Sequence, residues 1–241
     1  MSKKFWKWKV TDILNETTGE TEQERELRIE GIIAENSWFD DDVSPKLFRN
    51  ELNAGRGRLK LWINSPGGDV FAASQIYTML KEYKDGVDVY IDGFTASAAS
   101  VIAMSGEKVY MSPTSYLLIH DPETISIGNT AEMKEAIKML NEIKEGIVSA
   151  YELKTKLPRD EISKMMSAET MMNAQKAVEL GFADEMLYSE NQTTNNAEGL
   201  IYSRQAVTNC FLEKVKRRYK VDNRVDSNQL HKRLNLLART R

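Results

Sequence analysis

Ser97 and His120 are the residues whose types and spacing best suit nucleophilic chemistry. Ser97 lies in Asp92-Gly93-Phe94-Thr95-Ala96-Ser97-Ala98-Ala99-Ser100, between an expected strand at 87–91 and an apolar helical pattern at 98–104. A serine at a strand-to-helix turn sits near unpaired backbone N–H groups, which favour developing negative charge. His120 follows 23 residues later and is one of two histidines, the other being His231. An imidazole, with an unperturbed pKa of about 6.5, suits removal of a hydroxyl proton at neutral pH. Gly67-Gly68 ends 29 residues before Ser97. Glycine admits close approach of backbone to substrate, and its N–H is a fixed donor for an oxyanion. Each feature also has a plainer reading: a small-residue run that packs a helix, an ordinary turn, and a structural histidine at a strand end. Brought together, they would support hydrolysis through a serine.

The elements that must position them alternate in type. Residues 5–9 and 24–33 read as strands, separated by a turn at Asn15-Glu16-Thr17-Thr18-Gly19. Ser44-Pro45 starts a helix that runs to about Ala54. A strand at 59–63 breaks sharply at Asn64-Ser65-Pro66-Gly67-Gly68-Asp69. The next helix has an apolar face of Val70, Ala73, Ile76, Tyr77 and Leu80. After the serine turn come strands at 108–111 and 115–119, the second placing His120 at its end, and then a loop at 121–128. Asn129 and Glu132 form a capping arrangement for a helix reaching about Leu157. Pro158-Arg159-Asp160 interrupts it. A short helix at 161–166, a turn at Ser167-Ala168-Glu169-Thr170, and a helix at 173–180 ended by Gly181 complete the body. Strands repeatedly followed by helices imply an α/β fold.

Composition bounds the rest. The 241 residues are 41% hydrophobic and 29% charged, as expected of a globular chain. No apolar run is long enough to span a bilayer, and the aromatic and basic N-terminus lacks the apolar core of a signal peptide. A lone cysteine, Cys210, excludes an internal disulfide and points to the cytoplasm. From Ile201 onward there are 11 Lys/Arg against 3 Asp/Glu; the preceding 200 residues hold 22 against 33. An acidic body, expected over residues 1–190, thus carries a polar linker and basic tail over 191–241. Leu230, Leu234 and Leu237 give the tail the pattern of a short amphipathic helix. Phosphate-loop, His-Glu-x-x-His, Cys-x-x-Cys and Gly-x-Ser-x-Gly motifs are all missing, so no cofactor or metal is expected.

Three separated motifs resemble the Clp-type serine peptidases (ClpP) in order and spacing. They are Ile63-Asn64-Ser65-Pro66-Gly67-Gly68, Gly93-Phe94-Thr95-Ala96-Ser97-Ala98 and Ile119-His120-Asp121-Pro122. The resemblance covers about residues 25–187 and continues through Ala177-Val178-Glu179-Leu180-Gly181-Phe182-Ala183-Asp184. Trp38-Phe39-Asp40-Asp41-Asp42-Val43 and Ala168-Glu169-Thr170 look closest to the phage and prophage branch, often prohead maturation proteases. The resemblance implies the ClpP/crotonase-type fold of repeated ββα units. It implies Ser97 as nucleophile, His120 as general base and later acid, and the Gly68 and Ala98 amides as oxyanion hole. The usual aspartate position aligns with Glu169, counted back from Gly181; a glutamate can also orient an imidazole. Asp121 and Asp160 compete for that third role, and Ser100 competes as nucleophile. The resemblance further implies a homo-oligomer of stacked rings, with the helical segment at 131–157 as ring-to-ring contact. Expected partners are polypeptide substrates and either a Clp-type ATPase or phage capsid or scaffold protein.

Two other readings share the fold. A crotonase-type acyl-CoA enzyme would also use backbone amides for an oxyanion, without needing Ser97 and His120 together. A non-catalytic shell protein would keep the architecture without the chemistry. The basic tail is open between a solvated appendage, a segment removed by self-cleavage, and a docking arm for acidic protein or nucleic acid.

Overall fold

The computed structural model describes residues 4–14, 21–34 and 44–188. The turn expected at 15–19, the 38–43 stretch, the 191–199 linker and the basic tail lie outside the described residues. The chain divides into two units, Met1–Gly199 and Leu200–Arg241.

The architecture is a mixed α/β sheet with helices. Strand β1 (Trp6–Leu14) pairs antiparallel with β2 (Thr21–Glu30). Helix α1 (Pro45–Leu52) begins as expected: the Ser44 side chain accepts from Leu47 N–H, and Pro45 occupies the first turn. Strand β3 (Leu59–Ser65) then joins β2 in parallel. Its alternation buries Leu59, Leu61, Ile63 and Ser65. Helix α2 (Val70–Lys81) is capped by Asp69, whose side chain accepts from Ala72 N–H. Ala72, Ala73, Ile76, Met79 and Leu80 form its buried stripe; Val70 and Tyr77 are only partly covered.

Strand β4 (Val87–Ala96) extends five residues beyond the expected strand, up to the residue before Ser97. The difference has a structural cause. The first half of β4 pairs with β5 (Lys108–Met111), at Asp88 through Ile91. Its second half changes partner, and Phe94, Thr95 and Ala96 pair with β6 (Tyr116–Leu118). Where the partner changes, the register with β3 shifts between Ile63 and Ser65. Asn64 fills the irregularity: its Oδ1 accepts from Phe94 N–H at 3.1 Å. A β-carbon on Gly93 would lie 2.6 Å from that oxygen, so a larger residue there would displace the Asn64 amide.

Helix α3 (Ala98–Ala103) is buried throughout. Helix α4 (Thr130–Thr155) opens on the expected capping box, with the Asn129 side chain accepting from Ala131 and Glu132 N–H groups. Only Ile147, Val148, Ala150 and Tyr151 of α4 are buried. Helix α5 (Arg159–Ser167) starts directly after Pro158, two residues earlier than expected, because a proline before the first turn needs no N–H. Two short strands escape periodicity: β7 (Met171–Asn173), antiparallel to β6, and β8 (Glu185–Met186), parallel to β5. Between them lies α6 (Ala174–Glu179), followed by Gly181 at φ +79°. On β3, β4 and β5, Trp62, Tyr90 and Tyr110 stack with centroids 4.8 and 4.9 Å apart. No described helix is long and apolar enough to cross a membrane.

Candidate active site

Ser97 is held in a backbone conformation that a non-glycine residue rarely adopts, φ 56° and ψ −129°. Bonds on both sides impose it. Its N–H donates to Leu118 O at 3.0 Å, tying the end of β4 to β6. Its carbonyl accepts from Ser100 N–H at 2.9 Å and from Ser100 Oγ at 2.5 Å. The Ser100 hydroxyl also meets the Tyr151 hydroxyl at 2.7 Å. Both residues are almost fully buried, and burial pushes the Tyr151 phenol well above its ordinary range, opposed by the bond to Ser100. Ser100 is therefore committed to the backbone of the turn.

Gly67-Gly68 folds against this turn. Ile33 N–H donates to Gly67 O at 2.8 Å, and Asp69 N–H donates to Ile33 O at 3.0 Å. Ser65 Oγ accepts from Gly67 N–H at 3.1 Å and donates to Gly31 O at 2.6 Å. The N–H groups of Gly68 and Ala98 donate to no acceptor among the described residues. Two open amides beside a serine suit an oxyanion.

His120 follows β6, and the preceding Ile119 N–H donates to Thr170 O at 3.0 Å. Gly68, Ser97, Ala98 and His120 line one cleft of about 350 Å³. Phe71, Pro122, Met139, Leu140 and Ile143 give it apolar walls. No hydrogen bond joins the Ser97 hydroxyl to His120. His120 Nδ1 is buried and finds no hydrogen-bond partner among the described residues.

Glu169 lies at φ 52° in the turn between α5 and β7, beside the Ile119–Thr170 bond, but it does not line the cleft. Its carboxylate makes no hydrogen bond to His120 Nδ1. The competing acids have other partners: Asp121 pairs with Lys144 at 2.8 Å and accepts from Ser167 Oγ at 2.9 Å, while exposed Asp160 pairs with Lys164 at 3.1 Å. Asn64, Ser65 and Tyr151 support the site without having been assigned roles from sequence. The first two stood inside the Ile63–Gly68 motif as a visible signal; Tyr151 is one aromatic in a long helical pattern and carried none.

An activatable serine, an imidazole and two unpaired amides on one cleft can perform acyl transfer. Residues 9–190 match the Clp protease family. The chain belongs to that family and is a serine-type peptidase. It is 28% identical over 143 residues to the ATP-dependent Clp protease proteolytic subunit of Deinococcus radiodurans, a match covering 58% of this chain and 69% of that one.

Proposed function

We propose that this chain hydrolyses peptide bonds through an acyl-enzyme on Ser97. The observation that carries the reading is that Gly68, Ser97, Ala98 and His120 share one cleft while both amides lack acceptors. Ser97 Oγ attacks the scissile carbonyl as His120 takes its proton. The Gly68 and Ala98 N–H groups stabilise the oxyanion. His120 then gives the proton to the leaving amine, and water releases the acyl group by the reverse sequence. Glu169 is the third member, turning toward Nδ1 of His120 once the site is engaged; its support is its place beside the Ile119–Thr170 bond and the commitment of Asp121 and Asp160 elsewhere.

The working form is a cytoplasmic homo-oligomer of stacked rings, with residues 1–190 as the peptidase unit and 191–241 appended. Exposure of Ile137 and Met139 on the first half of α4 supports a contact between copies there. The name of the Deinococcus relative favours delivery of substrates by a Clp-type ATPase over cleavage of phage capsid or scaffold protein.

The test is labelling with a fluorophosphonate probe, followed by casein digestion with and without a Clp-type ATPase. Labelling of wild type that is lost in Ser97→Ala supports the peptidase. A folded, assembled wild type that neither labels nor digests would favour the shell protein, and acyl-CoA turnover that survives Ser97→Ala would favour the crotonase-type enzyme. Digestion of capsid or scaffold protein alone would move the role to the phage branch.

A further inference from the structure

We infer that Lys144 on α4 is a positioning residue for His120 and Glu169, acting through Asp121 and Ser167. The inference rests on the peptidase reading above. Lys144 Nζ donates to Ser167 Oγ at 2.9 Å and lies 2.8 Å from Asp121 Oδ1 as an ion pair. Ser167 Oγ in turn donates to Asp121 Oδ2 at 2.9 Å, closing a triangle. The Lys144 side chain is 18% exposed and that of Asp121 40%, so the lysine end is largely covered while the carboxylate meets solvent.

Two corners of the triangle, Asp121 and Ser167, belong to the segments that carry His120 and Glu169. Asp121 directly follows His120, and Ser167 precedes Glu169 by two residues. On the far side, Ile119 N–H to Thr170 O laces the same two segments together. That bond continues the β6–β7 ladder, which ends there; the Lys144 triangle joins the two chains again just beyond its end, at Asp121 and Ser167. Among the described residues His120 Nδ1 has no partner to orient the ring, so the placement of the ring falls to its backbone segment.

The same helix also holds the nucleophile. Tyr151, seven residues after Lys144, reaches Ser100, which bonds the Ser97 carbonyl. Seven residues are about two helical turns, or about 10 Å, and return to the same side of the helix. One rigid helix thus fixes the serine turn at one point and the histidine segment at another. Helix α4 sets their separation, and Lys144 is its contact on the histidine side.

The full-length chain is compared as wild type, Lys144→Met and Lys144→Arg, with a fluorogenic peptide for kcat and KM and a fluorophosphonate for the labelling rate. Lys144→Met is expected to lower kcat and labelling about 10- to 100-fold, the range for a misplacement of about 1 Å, with KM within about twofold of wild type. Lys144→Arg, keeping charge and reach, should recover most of that loss. Asp121→Asn combined with Lys144→Met should be no worse than the poorer single variant, because both break one linkage. Sedimentation and melting temperature separate positioning from unfolding or disassembly. Full kcat in Lys144→Met, equal damage in Lys144→Arg, or a loss that follows melting or disassembly would overturn the inference. If Lys144→Met does not fold, Ser167→Ala, which keeps both charges, decides: a folded variant with wild-type kcat overturns it, and a lowered kcat at unchanged KM supports it. Failure of wild type to label at Ser97 would remove the peptidase reading and this inference together, whereas equal labelling of wild type and Lys144→Met removes only the latter.

Discussion

A β-carbon on Gly67 would lie 2.7 Å from the Cβ of Ser97 and 3.0 Å from Ala98 N. The glycine turn and the serine turn, 30 residues apart in sequence, therefore touch without room for one methyl group. This contact sets Gly68 beside Ala98.

Gly67→Ala and Gly68→Ala should each abolish fluorophosphonate labelling, by about 100-fold or more. Gly67 is at φ +99°, and Gly68 is at φ +147° with a substituent Cβ only 2.2 Å from Ile33 O, so backbone must move in both. Gly31→Ala is the control. It has φ +81° but nothing within 4 Å, so it should cost about 1 kcal/mol in denaturant melts and keep normal labelling.

Ser97→Gly should be more stable than Ser97→Ala by about 1–2 kcal/mol, with both inactive. The φ of 56° strains alanine as it strains serine, whereas glycine adopts it freely. Urea denaturation of the two variants checks this directly.

Ser100→Ala should destabilise more than Tyr151→Phe. Removing the phenol leaves Ser100 Oγ still donating to Ser97 O, at a cost of about 1 kcal/mol. Removing the Ser100 hydroxyl strands the buried Tyr151 hydroxyl, at a cost of about 1–3 kcal/mol. Equal losses in thermal melts would contradict this ordering.

Glu51→Gln should destabilise at neutral pH and match wild type in acid. Burial acts to raise the Glu51 carboxyl, but donation from Lys4, Trp6 and Trp8 outweighs it and holds the group below its ordinary value. A carboxylate depressed in the folded state adds stability above its unfolded value of about 4.5, and that stability is lost as pH falls through the lower folded value. The gap between the two proteins, about 1–2 kcal/mol at pH 7, should therefore close as pH falls through that lowered folded value. Tryptophan fluorescence during acid titration would follow it through Trp6 and Trp8.

Much of the frame was legible because amphipathic periodicity and caps are local. Ser44-Pro45, the Asn129–Glu132 box and the alternation of Leu59, Leu61 and Ile63 mark their elements without distant partners. Strand β4 runs past the expected end because Phe94, Thr95 and Ala96 pair with β6, a partner more than 20 residues away. Strands β7 and β8, of three and two residues, are too short to show alternation and exist only by pairing. At the site, Ser97, His120 and Gly68 were recognisable through motif spacing, while Tyr151 and Lys144 were invisible because their roles arise from packing α4 against distant turns.

By itself, then, the sequence determined the family resemblance, the candidate side chains for the chemistry and the local elements that hold them: these depend on residue type, short-range periodicity and motif order. Only the tertiary structure decided that Ser100 is bound to Tyr151 and the Ser97 carbonyl, that the Gly68 and Ala98 amides meet no acceptor among the described residues, and that Asp121 answers to Lys144. Those outcomes depend on which groups meet within about 3 Å, a reach set by long-range pairing and packing rather than by neighbours along the chain.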